Sequence, residues 1–183
     1  MGHRIFTIGH STRSLHEFVS LLRPQEVRLV VDVRSVPRSL SNPQYNAARL
    51  ARALSELDIG YEHIPGLGGL RGKRRDVAAT VNSFWKNRSF HNFADYAMSD
   101  EFRCGLAKLR KLGHCTTSAI MCAEAVWWRC HRRIIADYLI TEGETVFHIL
   151  ANNQVVQASL TRGAVLLPDG TLHYPASPFP RTI

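Results

Sequence analysis

The sequence predicts an α/β domain: a mostly parallel open sheet with helices on both faces, and a small C-terminal β appendage. Three observations predict it. Short runs rich in Val, Ile and Phe alternate with segments whose apolar residues repeat at helical spacing, which implies right-handed crossovers and a sheet covered on both sides. The run Val27–Val33 is almost continuously apolar, as a strand buried on both faces must be. After Leu150 the helical pattern stops, and short strand-like runs surround the turn signal Pro168-Asp-Gly170. Residues 1–150 are therefore read as the core, and 151–183 as a hairpin-like appendage and tail of the same domain.

Arg4–Ile8 is the first expected strand and ends in Gly9-His10-Ser11. Ser14-Leu-His-Glu17 has the form of a capping box, and Leu15, Phe18, Leu21 and Leu22 continue it at helical spacing until Pro24. A second helix starts at Asn46, with Leu50, Ala51, Leu54 and Leu57 as its inner face, and Tyr61–Ile64 is a third strand. Pro65–Gly72 is a glycine-rich loop, and 80–98 reads as broken helix. Ser99 caps a clearer helix with an acidic first turn, running through Phe102, Leu106, Leu109 and Leu112 to Gly113 as its terminator. A strand at 118–122, a helix at 131–142 and a strand at 145–149 complete the alternation. The short runs 155–160, 164–167 and 171–174 form the appendage, followed by a proline-rich tail.

No apolar run approaches the ~18 residues of a membrane span. The first residues enter a strand pattern without a cleavable apolar region, so a cytoplasmic location is expected. The four cysteines, at 104, 115, 122 and 130, show no Cys-x-x-Cys spacing and are expected to be reduced. Cys104 and Cys115 read as ordinary core or surface residues. The net charge of +8 is clustered in Arg71–Arg75 and Arg129–Arg133, which suits polyanionic partners.

The chemistry-bearing residues concentrate at three strand ends. The first delivers Gly9, His10 and Ser11, the second Asp32, Arg34 and Ser35, and the strand at 118–122 delivers Cys122 and Glu124. In a parallel sheet these ends share one carboxyl edge, where ligands bind. Asp32 interrupts an apolar strand, so it needs either a partner such as Arg34 or a role as general acid or base. Glu124 and His10 are further proton-transfer candidates. Gly9 would let a ligand approach the backbone.

Cys122 stands where thiol enzymes place a nucleophile, between a strand and the turn into a helix. The spacing argues against simple identity with the Cys-x5-Arg phosphatases, because position 128 is Trp128. Cys130 adjoins His131 and Arg132 at a helix start, which should make it the more reactive thiol if exposed. Arg34 and Arg132 suit an anion clamp. Ser11, His131 and, from the polar loop Pro37–Asn46, Arg38, Asn42 and Tyr45 are expected substrate contacts. Asn46 fits better as a helix cap. Trp127 and Trp128 either stack on a base or sugar, or pack against the domain or a second copy in a homodimer. No cofactor is expected. Zinc on Cys122, Cys130, His131 and His10 is the one alternative, and Cys-x7-Cys-His lacks the short paired spacing of structural zinc sites.

Thr7-Ile-Gly-His-Ser11, Val31-Asp-Val-Arg-Ser35, Asn42-Pro-Gln-Tyr-Asn46, Met121-Cys-Ala-Glu124 and Cys130-His-Arg132 occur in that order. Together they make the chain resemble the family catalogued as domain of unknown function 488, over roughly residues 4–150. The resemblance implies a compact cytoplasmic α/β domain with paired cysteines, and carries no established reaction. Val126-Trp-Trp-Arg129 departs from the more polar, often proline-containing stretch associated with this family.

The leading functional expectation is a small hydrolase or transferase acting on an anionic substrate, a small molecule or a nucleotide or nucleic-acid component. Arg34 and Arg132 would hold the anion, Asp32, Glu124 or His10 would move protons, and Cys122 or Cys130 would attack. A nucleic-acid-binding module and a metal-binding or thiol redox protein are the alternatives. No membrane partner is expected.

Overall fold

The computed structural model describes residues 3–176, and the proline-rich tail beyond Ala176 lies outside the described residues. Five parallel strands, β1 (Arg4–Gly9), β2 (Leu29–Asp32), β3 (Gly60–His63), β4 (Ser118–Cys122) and β5 (Thr145–Ile149), form the sheet. A sixth, β6 (Val155–Gln157), pairs antiparallel with β5, giving the order β3-β2-β4-β1-β5-β6. The main sheet thus extends past Leu150. Only β7 (Val165–Leu166) and β8 (Leu172–His173) form the separate two-stranded C-terminal sheet.

The helices are α1 (Leu15–Leu22), α2 (Ala47–Ser55), α3 (Arg88–Ala97), α4 (Asp100–Cys115) and α5 (Arg132–Thr141). The capping box of α1 forms as read: Ser14 Oγ accepts from Glu17 N, and the Glu17 carboxylate accepts from Ser14 N at 2.7 Å. Two details differ from the sequence reading. The inner face of α2 is Leu50 and Leu54, while Leu57 lies beyond the helix end, where Asp58 takes a left-handed φ of 57°. Helix α4 continues through Gly113 to Cys115. A Cβ at Gly113 would lie 3.1 Å from the Ile5 side chain, so this glycine permits close helix–sheet approach rather than stopping the helix.

Successive strand residues point to opposite faces and build two cores. Ile5, Val31, Ile120 and Val146 pack against α3, α4 and α5, while Phe6, Ile8, Val30 and Met121 pack against α1 and α2. The chain therefore leaves β4 toward one face, whereas its two sheet neighbours, β1 and β2, send their helices to the other. Departures to opposite faces open a crevice at the carboxyl ends, and here both crevices adjoin β4.

The C-terminal segment is fastened to α5. The buried Asp137 carboxylate accepts from Thr161 N at 2.8 Å and from the Tyr174 hydroxyl at 3.0 Å, and Leu172 N donates to the Tyr138 hydroxyl. Among the described residues no helix is long and apolar enough to cross a membrane.

Candidate functional site

Strand order brings the three polar strand ends together. Gly9 is in register with Cys122, and pairing continues beyond the strands as His10 N donates to Cys122 O, Ser11 N to Ala123 O and Val33 N to Met121 O. A Cβ on Gly9 would lie 1.9 Å from Glu124 O and 2.8 Å from Ala125 Cα. The missing side chain thus admits the 123–125 loop, not a ligand as the sequence suggested. Above these ends lies a cavity of about 660 Å³. Cys122, Cys130 and His131 border it, with Arg34, Arg38 and Arg129 as its cationic lining.

The two thiols share one imidazole. His131 Nδ1 lies 3.6 Å from Cys130 Sγ and 3.9 Å from Cys122 Sγ. Its Nε2 lies 3.0 Å from the Val33 carbonyl, which can only accept, so Nε2 carries hydrogen. Nδ1 is then the ring nitrogen that faces both sulfurs. A Cβ at Gly69 would lie 2.5 Å from this ring, so the glycine-rich loop packs directly on it.

Arg132 is fully buried beside the thiols. Its Nε donates to Cys130 Sγ at 3.2 Å and its Nη2 to Glu124 O at 2.6 Å. It does not line the cavity, so it holds a sulfur rather than the substrate anion the sequence assigned to it. Burial pushes the Cys130 thiol up, but its hydrogen bond with Cys122, then the Arg132 charge and the adjoining His131, bring it well below the usual range. The same hydrogen bond, with burial, raises Cys122 well above it. Of the two thiols, Cys130 is therefore the one favoured to ionise.

Asp32 forms a second, structural cluster. Its fully buried carboxylate accepts from Arg34 N, Nε and Nη2 and from the Tyr61 hydroxyl at 2.7 Å. Its lone pairs are occupied by these donors, and Asp32 does not line the cavity. Burial opposes the Arg34 charge, yet the Asp32 carboxylate holds its pKa above the usual value. Arg34 Nη2 also donates to Tyr45 O, and one Nη1 hydrogen reaches His10 Nε2 at 3.3 Å. The other Nη1 hydrogen has no protein acceptor among the described residues, and Arg34 lines the cavity.

His10 lies against the cavity as a neutral ring. Burial is the main cause that lowers its pKa to about 4. Its Nδ1 donates to Ser11 O at 2.8 Å and Nε2 faces Arg34, so neither nitrogen is spare for proton transfer. Tyr45 stacks on it at 3.9 Å, is fully buried, and donates its hydroxyl to Arg13 O, which removes it from the expected substrate contacts.

Ser11, Arg38, Asn42, Glu124 and His131 do line the cavity. Asn46 precedes α2, but its side chain accepts from Ser39 N and ties the 37–46 loop instead of capping the helix. Trp127 stacks on His148 at 4.3 Å, the packing alternative, while Trp128 is about half exposed. In the first basic block, Arg71 covers the Tyr96 ring and donates to Gly68 O, and Arg74 pairs with Asp76.

Three residues went unassigned in the sequence reading. Tyr61 and His63 stand two apart on the strand beside Asp32, and hold Asp32 and Arg34 O. That i, i+2 pair of polar-tipped residues next to a buried carboxylate was the available signal. Arg129 was read only as part of the basic block Arg129–Arg133 and the stretch carrying the tryptophans. As for a metal, the Sγ atoms of Cys122 and Cys130 and a ring nitrogen of His131 lie within 4.8 Å of one another. His10, the fourth expected zinc ligand, is outside that group.

No curated protein and no solved structure matches the chain. Residues 14–139 match a family model, a shorter span than the sequence motifs suggested and one that leaves out the Thr7–Ser11 motif. That family is described as domain of unknown function DUF488, and the chain belongs to it.

Proposed function

We propose that this protein is a thiol-dependent hydrolase or transferase for an anionic substrate, with Cys130 as nucleophile. One observation carries the reading: Cys130 Sγ receives an N–H from Arg132 and faces His131 Nδ1, whose other nitrogen is committed to Val33 O. A thiolate held by a cation and adjacent to a tautomer-fixed imidazole is an activated nucleophile. The substrate anion would meet Arg34 Nη1, Arg38 and Arg129. His131 Nδ1 would receive and return the proton that the reaction moves. The cavity falls in the size range of small-molecule sites. Two arginines of the 71–75 block are occupied by protein contacts, which favours an anionic small molecule over nucleic acid.

Alkylation tests this reading. Cys130 should react faster with iodoacetate than with neutral iodoacetamide after correction for intrinsic reactivity, and Arg129→Ala should reduce that preference by roughly threefold to tenfold, as should added salt. A Cys130 that resists both reagents would end the proposal. Stoichiometric zinc in protein isolated without chelator would replace it by a metal centre.

A further inference from the structure

Nucleophilic catalysis needs one thiol, and this cavity holds two. Cys122 and Cys130 both border it, their sulfurs are within 4.8 Å, neither is in a disulfide, and both face the same nitrogen of His131. Cys122 belongs to the core on the α3–α5 face, and it also stands at the cavity wall. An acyl or phosphoryl group on Cys130 would be removed by water, and a neighbouring thiol adds nothing to that step. A neighbouring thiol does resolve an intermediate whose electrophilic atom is the Cys130 sulfur itself.

We propose that the substrate is an anionic small-molecule disulfide, and that Cys122 and Cys130 reduce it as a dithiol pair. The proposal rests on the Cys130 nucleophile and anionic substrate of the proposed function, and puts thiol–disulfide exchange in place of hydrolysis or group transfer. In the first step Cys130 S⁻ attacks one sulfur of R–S–S–R′. A Cys130–S–S–R bond forms, the substrate S–S bond breaks, and R′–S⁻ leaves with the electron pair. In the second, Cys122 S–H gives its proton to His131 Nδ1 and attacks Cys130 Sγ. The Cys122–Cys130 disulfide forms, and R–S⁻ leaves, taking that proton from His131. The substrate gains two electrons and the cysteine pair loses two. An external thiol or dithiol reductant returns the enzyme to its starting state.

Geometry supports each step. The sulfurs must close to about 2.05 Å. Cys122 ends a strand, whereas Cys130 follows the short helical turn Trp127–Arg129, so the intervening loop supplies the movement. Arg132 Nε would lose its thiolate partner on closure, which favours the reduced state and makes the disulfide readily reducible. Arg132 Nε donates to Cys130 Sγ and not to Cys122, which sets the order of attack. The cationic lining and the size of the cavity favour a bulky anion over hydrogen peroxide.

The test uses the full chain carrying Cys104→Ser and Cys115→Ser, which removes the two exposed thiols. The probe is dithiobis(nitrobenzoate), a doubly anionic aromatic disulfide whose thiolate product is coloured. The reduced protein should release two thiolates and finish with a Cys122–Cys130 disulfide, mapped by mass spectrometry. Adding Cys122→Ser should limit release to one thiolate and leave the mixed disulfide on Cys130, while Cys130→Ser should abolish release. The anionic probe should react about tenfold faster than the cationic disulfide cystamine at low salt. If protein with both thiols stops at the mixed disulfide while Cys130 keeps its preference for iodoacetate, the dithiol proposal falls and the nucleophile stands. If Cys130 reacts with neither disulfide nor alkylating agent, both fall. Faster disulfide formation with hydrogen peroxide than with the anionic disulfide would overturn the substrate assignment.

Discussion

Arg132 Nε lies 3.2 Å from Cys130 Sγ while Arg132 Nη2 lies 2.6 Å from Glu124 O, so one buried guanidinium holds both the thiol and the loop over β1. Sequence neighbours two positions apart thereby become hydrogen-bonded partners beneath the cavity. Replacing Arg132 by Gln removes the charge that stabilises the thiolate. The Cys130 pKa should rise, and alkylation at neutral pH should slow by about tenfold. The pH dependence of alkylation, with the ultraviolet absorbance of the thiolate, measures the shift. Arg132→Lys should recover part of it.

Asp32 supports Arg34 from a fully buried position. Asp32→Asn keeps the shape and leaves the guanidinium without a compensating charge. Loss of one partner of a buried pair costs about 3–5 kcal/mol, read from urea unfolding. The same variant should weaken the preference of Cys130 for iodoacetate, since Arg34 would no longer be fixed.

Gly9 admits no side chain. In Gly9→Ala the new Cβ would collide with backbone of the 124–125 loop, which cannot rotate away as a side chain can. Destabilisation of about 3 kcal/mol or more is expected, or displacement of the loop with lower Cys130 reactivity. Thermal unfolding and alkylation rate together distinguish the two.

Asp137 should make stability depend on pH in the less usual direction. Burial is the main cause that raises its pKa to about 6, above the ordinary carboxylate value. The folded state therefore favours the protonated form. Its contribution is complete below the unfolded pKa and is lost as pH rises through about 6, amounting to about 3 kcal/mol. Asn at this position accepts from Thr161 N and donates to the Tyr174 hydroxyl without ionising. Relative to the parent, Asp137→Asn should gain stability between about pH 4 and pH 7. Urea unfolding at a series of pH values checks the sign.

Local pattern was enough to locate most elements. The capping box at Ser14–Glu17, the β-branched run before Asp32 and the strand at Thr145–Ile149 all form where their residues say. Backbone hydrogen bonding and side-chain period are local, so a linear reading can recover them. Gly113 and Leu57 misled for the converse reason. The first is dictated by Ile5, distant in sequence, and the second by where α2 ends.

The linear order of residues also singled out the strand ends carrying His10, Asp32 and Cys122, because buried strands rarely tolerate such groups without cause. It could not apportion their work. Whether Asp32 moves a proton or fixes Arg34, and whether Arg132 grips an anion or a sulfur, depends on which atoms face each other across β1, β2 and β4. Strand order and the opposite exits of β4 and its neighbours decide that. They are long-range, since the cost of bringing Val33 O to His131 and Tyr61 to Asp32 is met by the whole core, not by the residues concerned.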